Sequence, residues 1–135
     1  MRRMVDGKGT RWHSMKTCLV VDDSDVVRKV ARHIFQSFKF DSREAESGQA
    51  ALEACEAAMP DAILLDWQMP TMGSVEFLAT LRGMPNGGKP LVIYCATENN
   101  ARDIALALSS GADDYVLKPF EREAIRAKLA AAGLV

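Results

Sequence analysis

The sequence predicts an α/β domain with a doubly wound parallel sheet of five strands, and three observations lead there. Short apolar runs recur along the chain, and "AILLD" at 62–66 shows none of the in–out alternation of a one-faced sheet. Segments with apolar residues at helical spacing separate these runs. The chain has 135 residues, 48% of them hydrophobic, which suits one domain with one core.

The first strand is "TCLVV" (17–21), closed by Asp22-Asp23. "SDVVRKVARHIFQSF" (24–38) follows, with apolar residues at 26, 27, 30, 31, 34, 35 and 38 and Ser24 placed to cap the helix. "FDSREAE" (40–46) reads weakly as a second strand, and Ser47-Gly48 opens an Ala-rich helix that Pro60 stops. The third strand, 62–66, ends on Asp66, and 74–82 forms a short helix. "MPNGGKP" is a loop by composition, and "LVIYC" (91–95) is the fourth strand. A helix over 99–110 is expected to end at Gly111 with positive φ. "YVL" (115–117) is a very short fifth strand before a closing helix at 121–133.

Strands joined by helices indicate a parallel sheet covered on both faces, a (βα)5 unit over residues 15–135. The polar, glycine-containing residues 1–14, with Trp12 and His13, stand apart as a leader that is disordered or left from expression. They lack the apolar centre of a secretory signal. With 17 basic and 18 acidic residues and no basic stripe, nucleic acid is not an expected partner. No apolar run approaches a membrane span, so no membrane insertion is expected. Three cysteines without metal-ligand spacing fit reduced thiols in a cytoplasm.

Sheets of this kind bind ligands beyond the carboxyl ends of their strands, where the strand order reverses. Those ends carry Asp22 and Asp23, Asp66, Ala96-Thr97, and Lys118-Pro119, while the second strand offers nothing comparable. In the flavodoxin-like order 2-1-3-4-5, the first and third strands are neighbours and bring the three aspartates to one edge. Clustered carboxylates repel one another, and a hard cation such as Mg²⁺ removes that cost. Lys118 adds a charge suited to an anionic oxygen, and an exposed Asp66 is a candidate nucleophile for an aspartyl phosphate. Asp23 or Asp25 alone would be read as a cap or turn residue; matching chemistry at three strand ends is what argues for a site.

The segments "LVVDDSDVVRKV", "AILLDWQMPTM" and "GADDYVLKPF" resemble the receiver domain of bacterial two-component response regulators, particularly stand-alone chemotaxis-type (CheY-like) receivers, over residues 16–135. The resemblance implies that Asp66 accepts phosphate from a histidine kinase or histidine phosphotransfer protein. It implies Mg²⁺ held by Asp22, Asp23, Asp66 and the backbone carbonyl of Trp67, with Lys118 on the phosphate and a cis peptide at Lys118-Pro119. Output would be protein contact through residues 99–132, since one helix after the fifth strand leaves no room for a DNA-binding or enzymatic domain. Gln68 and Glu98 occupy positions that tune the lifetime of the aspartyl phosphate.

Three positions depart from the family pattern, one of them Gln68, two residues after Asp66 and beside the route of an attacking water. The fourth strand of receivers ends in Ser or Thr, whose hydroxyl bonds the phosphate while an aromatic on the fifth strand turns inward. Here Ala96 stands at that position, with Thr97 next, the Ala96 backbone beside the phosphate, and Tyr115 as the aromatic. Either Thr97 reaches the phosphate through a shifted loop or the hydroxyl contact is missing; a weakened or rerouted switch is expected. The family's Asp-Gly after the second Met is replaced by Gly73-Ser74, which reads first as neutral loop drift and otherwise as a changed start to the third helix, where Ser74 can cap.

Other readings meet specific obstacles. A phosphatase of the haloacid-dehalogenase type would carry an acid two residues after the nucleophile, where Gln68 stands. A flavodoxin-like FMN carrier conflicts with the acidic loop after the first strand. A pseudo-receiver that binds partners without phosphorylation-driven switching is kept open by Ala96. Cys95 reads as a buried inert thiol and His33 as an ordinary polar residue.

Overall fold

A computed structural model describes residues 15–69 and 71–135; the expected leader at 1–14, with Trp12 and His13, lies outside them. Five strands alternate with five helices: β1 (Thr17–Val21), α1 (Asp25–Ser37), β2 (Asp41–Ala45), α2 (Gly48–Ala57), β3 (Ala62–Asp66), α3 (Ser74–Gly83), β4 (Leu91–Ala96), α4 (Ala101–Ser110), β5 (Asp114–Leu117) and α5 (Arg122–Ala131). The sheet order is β2-β1-β3-β4-β5, and every pair is parallel. This is the predicted doubly wound, flavodoxin-like architecture, with strand and helix ends moved by a residue or two.

Burial follows the side-chain alternation of the strands. Leu19 and Val21 of β1 pack with Phe77, Leu78 and Leu81 under α2, α3 and α4. Cys18 and Val20 pack with Phe35, Ile125 and Leu129 under α1 and α5. β3 is buried along its whole length, which is why its sequence shows no alternation. Edge strand β2 buries only Ser42 and Ala45, which is why it was the weakest strand in the sequence.

Local signals explain the helix ends. Ser24 Oγ accepts the Val27 N–H at 3.3 Å, and Ser47 Oγ accepts the Ala50 N–H at 3.1 Å. Gly111 ends α4 at φ 133°, the positive angle that a side chain resists. The cap that Ser74 could have supplied is not formed. Gly73 takes the N-cap position, and the buried Ser74 Oγ donates to the Asp66 carbonyl at 3.0 Å, a stronger demand than capping an exposed helix end.

At the amino ends of the strands, Asp61 Oδ2 accepts the Thr17 N–H at 2.8 Å. Arg82 of α3 donates to the Gly111, Gly87 and Pro90 carbonyls and to Asp113, tying α3 to the loop after it and to the end of α4. No helix among the described residues is long and apolar enough to cross a membrane.

Candidate functional site

The carboxyl ends of β1 and β3 are neighbours, so the acid that closes each strand arrives at the same edge. Asp22 and Asp66 are each only 4% exposed, so Asp66 is not the exposed carboxylate expected from the sequence: β3 is buried to its last residue, and only Asp23 faces solvent. Carboxylate oxygens of Asp22, Asp23 and Asp66 lie within 4.8 Å of one another. Lys118, just past β5, extends over the end of β4; its Nζ donates to Asp22 Oδ2 at 2.8 Å and to Asp66 Oδ1 at 2.7 Å. The Lys118 N–H donates to the Ala96 carbonyl at 2.7 Å, and the Lys118-Pro119 peptide is cis.

The charges explain the protonation balance. Burial raises the Asp66 pKa above the ordinary carboxylate value, and the Asp22 charge adds to it, while Lys118 pulls it down without cancelling the rise. Burial opposes the charge on Lys118, yet hydrogen bonds to Asp22 and Asp66 outweigh it and hold its pKa above the usual lysine value. Asp66 rises through burial, and Lys118 rises because its one ammonium meets two acids. Three carboxylates against one lysine leave excess negative charge at a partly enclosed edge. The donors are all hard oxygens, and the exposed Asp23 leaves an open side where a cation keeps part of its water. That donor set fits Mg²⁺.

Other predicted residues surround this cluster without joining it. Thr97 Oγ1 accepts from Asn100 Nδ2 at 2.7 Å, which ties its oxygen to the start of α4 and leaves its own O–H to donate elsewhere. Ala96 is fully buried, and Gln68 and Glu98 are exposed. Tyr115 is 38% exposed, with Lys128 Nζ 5.4 Å from its ring centre. Cys95 is buried, and desolvation drives its thiol pKa far upward, as expected of an inert thiol. His33 is an exposed residue on α1.

Two residues escaped the sequence reading. Ser74 bonds the backbone of Asp66 from below, and Arg28 Nη1 donates to the Asp22 carbonyl at 2.7 Å. Arg28 also meets Glu44 of β2, so the second strand does support the site. The only available signal for Ser74 was the displaced glycine before it. Arg28 sits on a polar helix face, and its partner is fixed only by the pairing of β1 with β2.

Residues 18–130 match the response regulator receiver domain family. The DNA-binding response regulators MtrA of Mycolicibacterium smegmatis and of Mycobacterium tuberculosis (strain ATCC 25618 / H37Rv) are each 34% identical to the chain over 113 residues, 84% of this chain and 48% of theirs. The chain therefore spans about half the length of these curated relatives. Among solved structures, the chemotaxis response regulator CheY4 of Vibrio cholerae superposes with a TM-score of 0.80 at 27% identity, over 87% of this chain and 98% of that one. The receiver domain of the sensor histidine kinase PA1611 from Pseudomonas aeruginosa, described with a magnesium ion coordinated in its active site cleft, superposes at 0.78 with 26% identity, over 88% and 98%. With the family's sequence, its fold and an acidic cluster at the sheet edge all present, the chain belongs to the response regulator receiver domain family.

Proposed function

We propose that residues 15–135 form a phosphorylation-controlled switch in which Asp66 accepts a phosphoryl group from a histidine kinase or histidine phosphotransfer protein. The observation that carries this reading is the Lys118 ammonium, 2.7 Å from Asp66 and 2.8 Å from Asp22. An ionised Asp66 oxygen attacks phosphorus as the bond from phosphorus to the donor breaks, leaving an aspartyl phosphate. Lys118 favours the ionised form of Asp66 beside Asp22 and is in place to bond an oxygen of the incoming group. Asp22, Asp23, Asp66 and the Trp67 carbonyl would hold Mg²⁺, which when bound offsets the charge gathered on the acids and the phosphoryl oxygens. Gln68 and Glu98 border the opening and tune how readily water reaches the phosphate.

The protein does not turn over external substrates; it phosphorylates itself from small donors and loses the group to water. Output is contact with a downstream protein through residues 99–132, without nucleic acid or membrane insertion, in a cytoplasmic setting. Leu106, Leu108, Tyr115 and Leu117 expose apolar surface in that span, which supports a protein partner. The Ala96 backbone faces the phosphate position, and Thr97 and Tyr115 make up a weakened switch.

The test is intact mass after incubation with acetyl phosphate, with and without Mg²⁺, on the protein and on Asp66→Asn. One phosphoryl group gained only with Mg²⁺ and only in the native sequence is the expected result. No gain, from acetyl phosphate or from a phosphorylated donor protein, overturns it. A second reading, a pseudo-receiver that binds partners constitutively, draws on the buried Ala96, which offers no hydroxyl at the end of β4. It predicts partner binding that phosphorylation leaves unchanged.

A further inference from the structure

We infer that Arg28 is a positioning residue for the metal clamp: it fixes the peptide between Asp22 and Asp23 and so sets where the free arm of the clamp emerges. The inference rests on the reading that Asp22 and Asp23 hold Mg²⁺. Each polar atom of Asp22 has a partner. Its N–H donates to the Ala45 carbonyl at 3.1 Å, and its Oδ1 accepts the Ser24 N–H at 3.0 Å. Its Oδ2 accepts from Lys118 at 2.8 Å, and its carbonyl accepts from Arg28 at 2.7 Å.

The last of these bonds reaches Asp23. The Asp22 carbonyl and the Asp23 N–H belong to one planar peptide, so holding the first fixes the second. Asp23 is exposed, and no ion pair among the described residues holds its carboxylate. Its direction therefore depends on the backbone that presents it.

Arg28 is itself held from its other side. Its Nε donates to Glu44 Oε1 at 2.6 Å, and its side chain is 13% exposed. Glu44 Oε2 accepts from Arg32 Nη1 at 2.6 Å, and Arg32 Nε donates to Ser42 Oγ at 3.1 Å. A flat guanidinium with fixed donors spans a carboxylate on β2 and a carbonyl beyond β1 together. The compact ammonium of lysine lacks that fork. Glu44 is shared between Arg28 and Arg32, so it offsets only part of the charge of Arg28, and a variant that keeps the charge without the fork is what isolates geometry.

The experiment is a Mg²⁺ titration followed by tryptophan fluorescence and a Mn²⁺ titration followed by electron paramagnetic resonance. It compares the native protein with Arg28→Met, Arg28→Lys and Glu44→Gln, with a metal-free thermal melt of each. Partners that orient metal ligands typically change affinity by about 10–100-fold. The expected result is a dissociation constant raised about tenfold or more in Arg28→Met, and raised also in Arg28→Lys, which keeps the charge and the stem. Glu44→Gln, which leaves the Arg28 bond to the Asp22 carbonyl in place, raises it less. Folded Arg28→Lys that binds both metals within twofold of the native protein overturns the inference, whatever its melting temperature; a lower melting temperature with unchanged affinity would mark a strut between α1 and β2. A native protein that binds neither metal overturns the proposed function instead.

Discussion

Lys128 holds the Tyr115 ring on the outside of the domain, its Nζ 5.4 Å from the ring centre while it pairs with Asp114 at 3.0 Å. A cation over an exposed aromatic face is worth about 0.5–1 kcal/mol, enough to bias a rotamer. At the end of β4, Ala96 offers no hydroxyl, and the Thr97 oxygen is drawn toward Asn100 at the start of α4.

When the protein is loaded with Mg²⁺ and beryllium fluoride, the ring resonances of Tyr115 are therefore expected to shift little. Lys128→Met, which removes the cation, and Ala96→Ser, which restores a hydroxyl at the end of β4, should each enlarge the shift. A structure of the loaded native protein with Tyr115 fully inward would contradict this.

Asp66 is expected to lower stability at neutral pH. Its pKa is raised in the folded chain from the ordinary 3.8, so folding favours its protonated form. The linkage then runs opposite to the usual carboxylate case. Stability falls as pH rises from 3.8 through the folded pKa, and stays low above it. Asp66→Asn should thus melt higher than the native protein at pH 7 without metal, with the gap closing toward pH 4. Each kcal/mol gained corresponds to roughly 3–5 °C for a domain of this size. Lys118 acts at the other extreme: its raised pKa means its contribution holds below the ordinary 10.5 and is lost as pH climbs through the folded value. Thermal melts across pH in a chelating buffer measure both.

Damage at the opposite end of the sheet should leave the chemistry alone. Asp61→Ala removes the acceptor of the Thr17 N–H and should cost about 1–3 kcal/mol. Arg82→Met strands the Gly111, Gly87 and Pro90 carbonyls and should cost about 2–4 kcal/mol. Urea titration reads these losses, and the rate of phosphorylation by acetyl phosphate should stay within twofold.

The thiols should be silent in the folded protein. Burial pushes Cys55 up to about 11 and Cys18 up to about 12, and Cys95 higher still. An aromatic disulfide reagent at pH 8 should find no reactive group among these three until denaturant is added, and then should find all of them.

Element order and the acidic edge were legible because they rest on local patterns. Each strand is a short apolar run, and the two strand-ending acids become neighbours once the order 2-1-3-4-5 is assumed. Lys118 was legible for the same reason. What surrounds the cluster was not, because it depends on contacts between distant segments. Glu44 reads as an exposed charge on a weak strand until the register sets Val20 against it and brings α1 alongside. Ser74 looks like a cap because its type and position suit one, and only the nearness of the Asp66 carbonyl decides otherwise. Thr97 was ambiguous because its competitor, Asn100, lies within its own turn, where spacing alone does not tell which bond forms.

The two ends of the sheet are fastened by different kinds of bond. At the amino end, Asp61 holds the Thr17 N–H, and the Asp61 carbonyl takes that of Leu91, lacing three adjacent strands with bonds no ligand competes for. At the carboxyl end, one ammonium crosses β4 to fasten β5 to β3 and β1, and any anion arriving at Asp66 competes for it. Local opening should then be unequal, with amide protons around Thr17 and Leu91 exchanging only with global unfolding. Those next to Lys118 should exchange through a smaller excursion whose frequency follows the occupancy of the site. The domain can give way at one border while the other stays shut, so a chemical event is felt at the surface without loosening the core.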